Sequence, residues 1–493
     1  MTAYLEAFWI VADLQVILVI LGAACFGMFV GAIPGLTATM ATALLVPVTF
    51  FMDPIPAIAA IITAAGMAIF AGDISGALLR IPGTPASAAY VEDSYKLTQK
   101  GRAGEALGAL LVFSAFGGIF GTLVLMFTAP QLAEVALRFS SFEYFWLVVL
   151  GLSCAVFVSP GSALLGLVSL FIGLGFALVG QNNPAAEARY TFGSIELLAG
   201  VQLVPAMIGL FAMSEVIRFY AKPDSTNRPG PVQGSIFRTQ LTILRRYPMQ
   251  ALRGSALGTA IGALPGAGAD IAAWISYAIS KKFSRTPEKF GEGHVEGLVE
   301  AGSSNNGSLS GAWIPSLVFG IPGDSITAIV IGVLYVKGIN PGPTIFITQP
   351  EMVYSVFLIF ILANIVMLPM GWLAIRLASR ILSVPQRILM PIILLFCMTG
   401  AFAINNSTAG VMIMLTFGAL GFLMEENRIP LAPAILGLVL GPMLEENFVS
   451  SMMRAGGSFA GFFDRPIAAG LGIAAITLWT IPLIRRIWKM RRA

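Results

Sequence analysis

The chain has 493 residues, of which 11% are charged and 57% hydrophobic, with 53 glycines and a net charge of +4. A soluble chain carries about 25% charged residues, and one this long would form about three domains, which so little charge cannot keep dissolved. These figures exclude a soluble enzyme, a disordered chain and a nucleic-acid binder, and leave a polytopic membrane protein.

In chain order, apolar runs fall at about 14–52, 56–72, 106–129, 144–180, 197–219, 248–280, 313–336, 352–375, 386–424, 430–444 and 466–484. A helix needs about 20 residues to cross the hydrocarbon core, so these runs predict about 10–12 transmembrane helices. Only helices and closed barrels satisfy the backbone in lipid, and long runs without alternation are helical, so the fold class is all-α. Glu6 and Asp13 precede the first run where a secretory signal would carry basic residues, so that run is expected to be retained. Cys25, Cys154 and Cys397 are isolated and make neither a disulfide framework nor a zinc site. Polar stretches interrupt the pattern at 221–247 and 281–300. Lysine and arginine mark cytoplasmic loops. Lys222, Arg228, Arg238, Arg245 and Arg246 place 221–247 there, as a cytoplasmic linker, and Lys281, Lys282, Arg285 and Lys289 do the same for the next loop. The tail, with Arg485, Arg486, Lys489, Arg491 and Arg492, puts the C-terminus in the cytoplasm, and the N-terminus is expected outside.

Two motifs recur in the same order. Gly27, Gly31, Pro34 and Gly35 match Gly258, Gly262, Pro265 and Gly266, an offset of 231 (31 to 262). Ile81-Pro82-Gly83-Thr84 matches Ile321-Pro322-Gly323-Asp324, an offset of 240 (81 to 321). Two collinear pairs indicate a duplicated transporter core, with repeats at 1–220 and 248–493. Proline removes a helix hydrogen bond and glycine permits a turn, so the chain can double back at each pair. Basic residues flank 248–280 on both sides, which makes it a re-entrant hairpin from the cytoplasm; 14–52, flanked by Asp13 and Asp53, is its expected counterpart from outside. The repeats are then inverted. Its long N-terminal arm, 14–33, leaves a full crossing open as the other reading.

Broken helices expose N–H groups and partial positive charge inside the bilayer, which suits a carboxylate. The candidate substrate-binding residues are therefore Pro34, Gly35, Thr37 and Thr39 in the first hairpin and Pro265 and Gly266 in the second. At the other breaks they are Arg80, Pro82, Gly83 and Thr84, and Pro322, Gly323 and Ser325. Asp270 and Asp324 are candidate sodium ligands, because acidic groups at membrane depth are costly; each can alternatively cap the helix that follows its break. Arg80 either pairs with an anionic substrate or reaches to the interface. Asn305 and Asn306 line the site or form a surface turn. No phosphate-binding GxxxxGK[ST] loop occurs, so the chain has no ATPase of its own. The single histidine, His294, lies in a polar loop, where solvation is expected, and this argues against a Ser–His intramembrane protease.

Taken together, Gly31-Ala-Ile-Pro-Gly35, Leu79-Arg-Ile-Pro-Gly-Thr-Pro85, Arg189-Tyr-Thr-Phe-Gly193, Ile208-Gly-Leu-Phe-Ala-Met-Ser-Glu215, Gly320-Ile-Pro-Gly323 and Leu436-Gly-Leu-Val-Leu-Gly-Pro-Met-Leu-Glu445 resemble one family. It is the large membrane subunit of the tripartite tricarboxylate transporters (the TctA family), over essentially the whole chain. Gly302 and Ser303-Ser304 depart from the alanine-rich sequence expected there. The resemblance implies a bacterial inner-membrane permease with no cofactor. Its implied partners are a small membrane subunit (TctB-like) and a periplasmic solute-binding protein (TctC-like) that delivers carboxylates such as citrate. A gradient of sodium ions or protons is the implied energy source. A passive anion channel lined by the same broken helices is the alternative.

Overall fold

The computed structural model describes residues 2–158, 162–181, 183–184, 187–221, 234–266, 268–404 and 406–490, and every regular element among them is a helix. Among the described residues, seven helices are long and apolar enough to cross a membrane, and six shorter apolar helices accompany them. The protein is thus an all-α polytopic membrane protein. The chain forms two compact units, residues 1–133 with 204–423, and residues 134–203 with 424–493. Both copies of the repeated motifs lie in the first. Lys222 and Arg228 of the expected linker fall outside the described residues, as do Arg491 and Arg492 of the tail.

Within the first unit the same series of helices occurs twice. The first series is α1 (Leu14–Ala32), α2 (Ala38–Thr49), α3 (Pro54–Leu79), α4 (Val91–Gln99) and α5 (Ala103–Ala136). The second is α6 (Pro248–Gly262), α7 (Gly268–Phe283), α8 (Val295–Phe319), α9 (Ser325–Val336) and α10 (Pro350–Arg376). Pro34-Gly35 separates α1 from α2 and Pro265-Gly266 separates α6 from α7. Gly35 and Gly266 turn the chain at φ +88° and +84°, a region only glycine enters freely. Pro82-Gly83 and Pro322-Gly323 end α3 and α8 in the same way. The residue opening each of these breaks is left-handed, Gly320 at φ 68° and its counterpart Arg80 at φ 60°.

The motif glycines bring backbones into contact. A Cβ on Gly27 would lie 2.8 Å from Ala64 Cα, and one on its counterpart Gly258 would lie 2.7 Å from Ser304 Cα. Gly31 meets Ala68, and Gly262 meets Ser308. Ala64 and Ser304, like Ala68 and Ser308, are 240 residues apart (64 to 304), the offset of the second motif. Each hairpin's first arm therefore lies parallel to the broken helix of its own half, in the same register. Lipid gives helices no hydrophobic reason to associate, so such close backbone approach contributes to their cohesion through van der Waals packing.

Contacts between the halves fix relative direction. Gly117 and Gly121 of α5 meet Ser303 and Gly307 of α8 in increasing order, so these helices run parallel. Gly66 faces Met367 and Phe70 faces Gly371, so α3 and α10 run parallel too. By contrast, Gly118 meets Asn364 while Leu111 meets Gly371, so α5 and α10 are antiparallel. Equivalent helices of the two halves thus point in opposite directions. The broken helices α3 and α8 meet at equivalent positions, where Asn306 Nδ2 donates to the Gly66 carbonyl at 3.3 Å.

The outer ends are stapled reciprocally. Lys337, just after α9, donates to the Phe50 and Met52 carbonyls at 2.6 and 2.5 Å, and Lys100, just after α4, donates to the Glu292 carbonyl at 2.5 Å. Asp93 Oδ1 accepts the Gly291, Gly293 and His294 N–H groups at 2.8–2.9 Å, while Tyr277 donates to Oδ2 at 2.6 Å. This anchors the polar loop that sequence reading left solvated, and His294 lies 3.2 Å from both Thr286 and Glu296.

In the second unit, Leu431–Arg454 packs on Ala163–Ala177 through Gly173 and Gly437. Arg189 and Glu445, from two of the stretches that carry the family resemblance, form an ion pair at 2.6 Å.

Candidate functional site

The two motif breaks of the second half touch. Gly266 N–H donates to the Gly323 carbonyl at 2.7 Å, and a Cβ on Gly268 would lie 3.3 Å from Asp324 Cβ. The break of the first half joins them, since Asp270 Oδ1 accepts the Ala86 N–H at 3.1 Å and Trp274 Nε1 donates to the Pro85 carbonyl at 3.1 Å. The starts of α7 and α9 therefore meet the segment that follows the Pro82-Gly83 break of the first half, with Asp270 partly exposed and Asp324 buried beside it.

Local sequence explains each start. Asp324 caps α9: its Oδ1 accepts the Thr327 N–H at 2.8 Å while Thr327 Oγ1 accepts the Asp324 N–H at 2.9 Å. The counterparts Thr84 and Ser87 make the same reciprocal pair at 3.2 Å, so the box is duplicated with the motif. Gly83 packs on Gly72 and Gly323 on Ala312, again 240 residues apart (72 to 312), because only a glycine admits the returning chain there. Ser325 is the first residue of α9. Thr37 caps α2, accepting the Met40 N–H at 3.2 Å, and Thr39 lies in its first turn.

The remaining candidates make other contacts. A Cβ on Gly35 would lie 3.4 Å from Glu215 Oε1, so the first hairpin's tip, Pro34-Gly35, sits beside the helix Ser214–Ala221 and the π-helical turn Gly209–Met213 that precedes it. Arg80 is exposed and pairs with Glu92 at 2.8 Å. Asn305 and Asn306 are not in a turn; Gly302–Ser308 is a buried part of α8.

Asn305 leads to a residue that sequence reading missed. Its Nδ2 donates to the Tyr90 hydroxyl at 3.2 Å, and that hydroxyl donates to Asp73 Oδ1 at 2.7 Å. Asp73 and Tyr90 are 1% exposed, and Asp73 Oδ2 has no hydrogen-bond partner. The signal was a single acidic residue within the otherwise uncharged Pro54–Leu79. No group of three or more His, Cys, Asp or Glu occurs among the described residues, so a cation held near Asp270 and Asp324 would draw mostly on neutral oxygens.

Residues 17–436 match the sequence profile of the tripartite tricarboxylate transporter TctA family. The chain belongs to that family. An uncharacterized 52.8 kDa protein in the TAR-I ttuC' 3' region of Agrobacterium vitis is 34% identical over 462 residues, 93% of this chain and 92% of that protein. An uncharacterized protein in the TAR-II ttuC' 3' region of the same organism is 34% identical over 231 residues, 46% of this chain and 96% of its own length. No solved structure matches. As a TctA-family member the chain is a component of a transporter, and the converging helix starts lie within the matched residues.

Proposed function

We propose that this chain is the large permease subunit of a bacterial inner-membrane transporter that imports a carboxylate, a tricarboxylate or a related organic acid. The observation that carries this reading is the meeting of duplicated helix breaks from oppositely directed halves, through Gly266–Gly323 and Ala86–Asp270. Helix starts favour anions, and in a membrane interior irregular backbone persists only where protein or a cavity shelters it. The neighbouring carboxylates Asp270 and Asp324 offer a cation a place beside the anion, which fits uptake driven by sodium ions or protons. The two hairpins are re-entrant, from opposite faces, with the C-terminus cytoplasmic. A small membrane subunit and a periplasmic binding protein complete the system, and the chain transports rather than catalyses.

The test is reconstitution of the chain with both partners in liposomes, with a labelled tricarboxylate outside. Accumulation above the external concentration is expected, dependent on a cation gradient and on the loaded binding protein. Equilibration without accumulation, unaffected by the gradient, would instead make it a passive pore.

A further inference from the structure

Asp73 lies on α3 one residue from Gly72, whose carbonyl accepts the Gly83 N–H at 3.1 Å and so holds the Pro82-Gly83 break closed. No lysine, arginine or histidine pairs with it among the described residues, and its Oδ2 meets no donor. The titratable groups around it are few. Tyr90 bonds to it from the segment after the break, and Asp270 of α7 acts electrostatically on Tyr90. Asp93 and Glu92 on α4 are engaged with Tyr277 and Arg80, and α8 contributes only the neutral Asn305. A carboxylate shut away from water without a counter-charge costs far more than a neutral acid. Acidic groups in membrane segments are usually functional for that reason. A metal ion needs a shell of oxygens, and among the described residues Asp73 belongs to no group of three or more His, Cys, Asp or Glu that could hold one.

We propose that Asp73 is the proton-carrying residue of this transporter, neutral in the closed arrangement and ionised when the break opens. This rests on the transport reading above. Displacing Pro82-Gly83 separates Gly83 from Gly72 and moves the segment bearing Tyr90, which exposes the Asp73 carboxyl to water. The O–H bond then breaks, the proton passes to water on the inner side, and a proton from outside water restores it on return.

The test uses the reconstituted complete system and two readouts: exchange of labelled for unlabelled carboxylate, and accumulation driven by a pH gradient. Asp73→Asn mimics the protonated state, so exchange should stay within about threefold of wild type while the accumulation ratio falls to 1. Asp73→Glu should restore part of the accumulation. Asp73→Asn protein that still accumulates substrate on a pH gradient overturns the proposal, and so does a folded variant that loses exchange as well. Should Asp73→Asn fail to fold, a pH dye inside wild-type vesicles decides: substrate uptake must acidify the lumen. Uptake that follows a sodium gradient without acidification also overturns it. Wild-type protein that neither exchanges nor accumulates would count against the transport reading itself.

Discussion

At the residue scale, most of the repeated glycines are explained by packing. Gly31 presses on the Ala68 backbone, whereas nothing lies within 4 Å of a Cβ placed on Gly22 in the same helix. Gly31→Ala must push α1 off α3, and overpacking of this kind costs about 1–3 kcal/mol. Gly22→Ala should be neutral or stabilise by up to about 1 kcal/mol through helix propensity. Thermal unfolding in detergent checks both, and equal midpoints would contradict the packing account. The spacing of these glycines was legible in sequence because close approach requires glycine, whatever its purpose. Asp73 was not: the apolar run 56–72 stops one residue short of it, while the helix continues to Leu79. Asn305 and Asn306 were legible as polar but not as buried, since Ser, Asn and Gly in 302–308 read locally like a turn and only the surrounding helices enclose them.

At the element scale, each break needs both a stop and a start. Gly320 and Arg80 supply the left-handed stop; the Asp324–Thr327 box supplies the start of α9, and the Thr84–Ser87 pair closes the turn that leads into the 3-10 helix Ser87–Ala89. Loss of such a cap costs about 0.5–2 kcal/mol. Asp324→Ala should therefore lower stability by that amount and loosen the contact of Gly323 with Gly266; Asp324→Asn, which still accepts from Thr327, should retain most of both. Hydrogen exchange of the α9 N-terminal amides is the measurement, and unchanged protection in Asp324→Ala would contradict the capping role. Sequence gave grounds for both a cap and a cation ligand here. The cap is now placed atom by atom, because the Thr327 hydroxyl that completes it could be recognised only once α9 was known to begin at Ser325.

At the scale of the whole molecule, duplication of the helix series supplies the chain's main structural rule. The halves share motif offsets, glycine contacts and capping boxes, yet their equivalent helices run in opposite directions. Order and spacing were readable from the sequence, and the flanking charges led to the expectation of inverted repeats; the contacts that set the direction, such as Gly118–Asn364 and Leu111–Gly371, lie between residues that no motif marks. The central claim is that these opposed halves bring their hairpins into the membrane from opposite faces. Asp53 and Lys281 close the two hairpins and are exposed, so Asp53→Cys and Lys281→Cys, each in a chain with Cys25, Cys154 and Cys397 replaced by serine, can be labelled with an impermeant thiol reagent. The cysteine at 53 should react only from the periplasmic side and the one at 281 only from the cytoplasmic side; reaction of both from the same side would contradict the account.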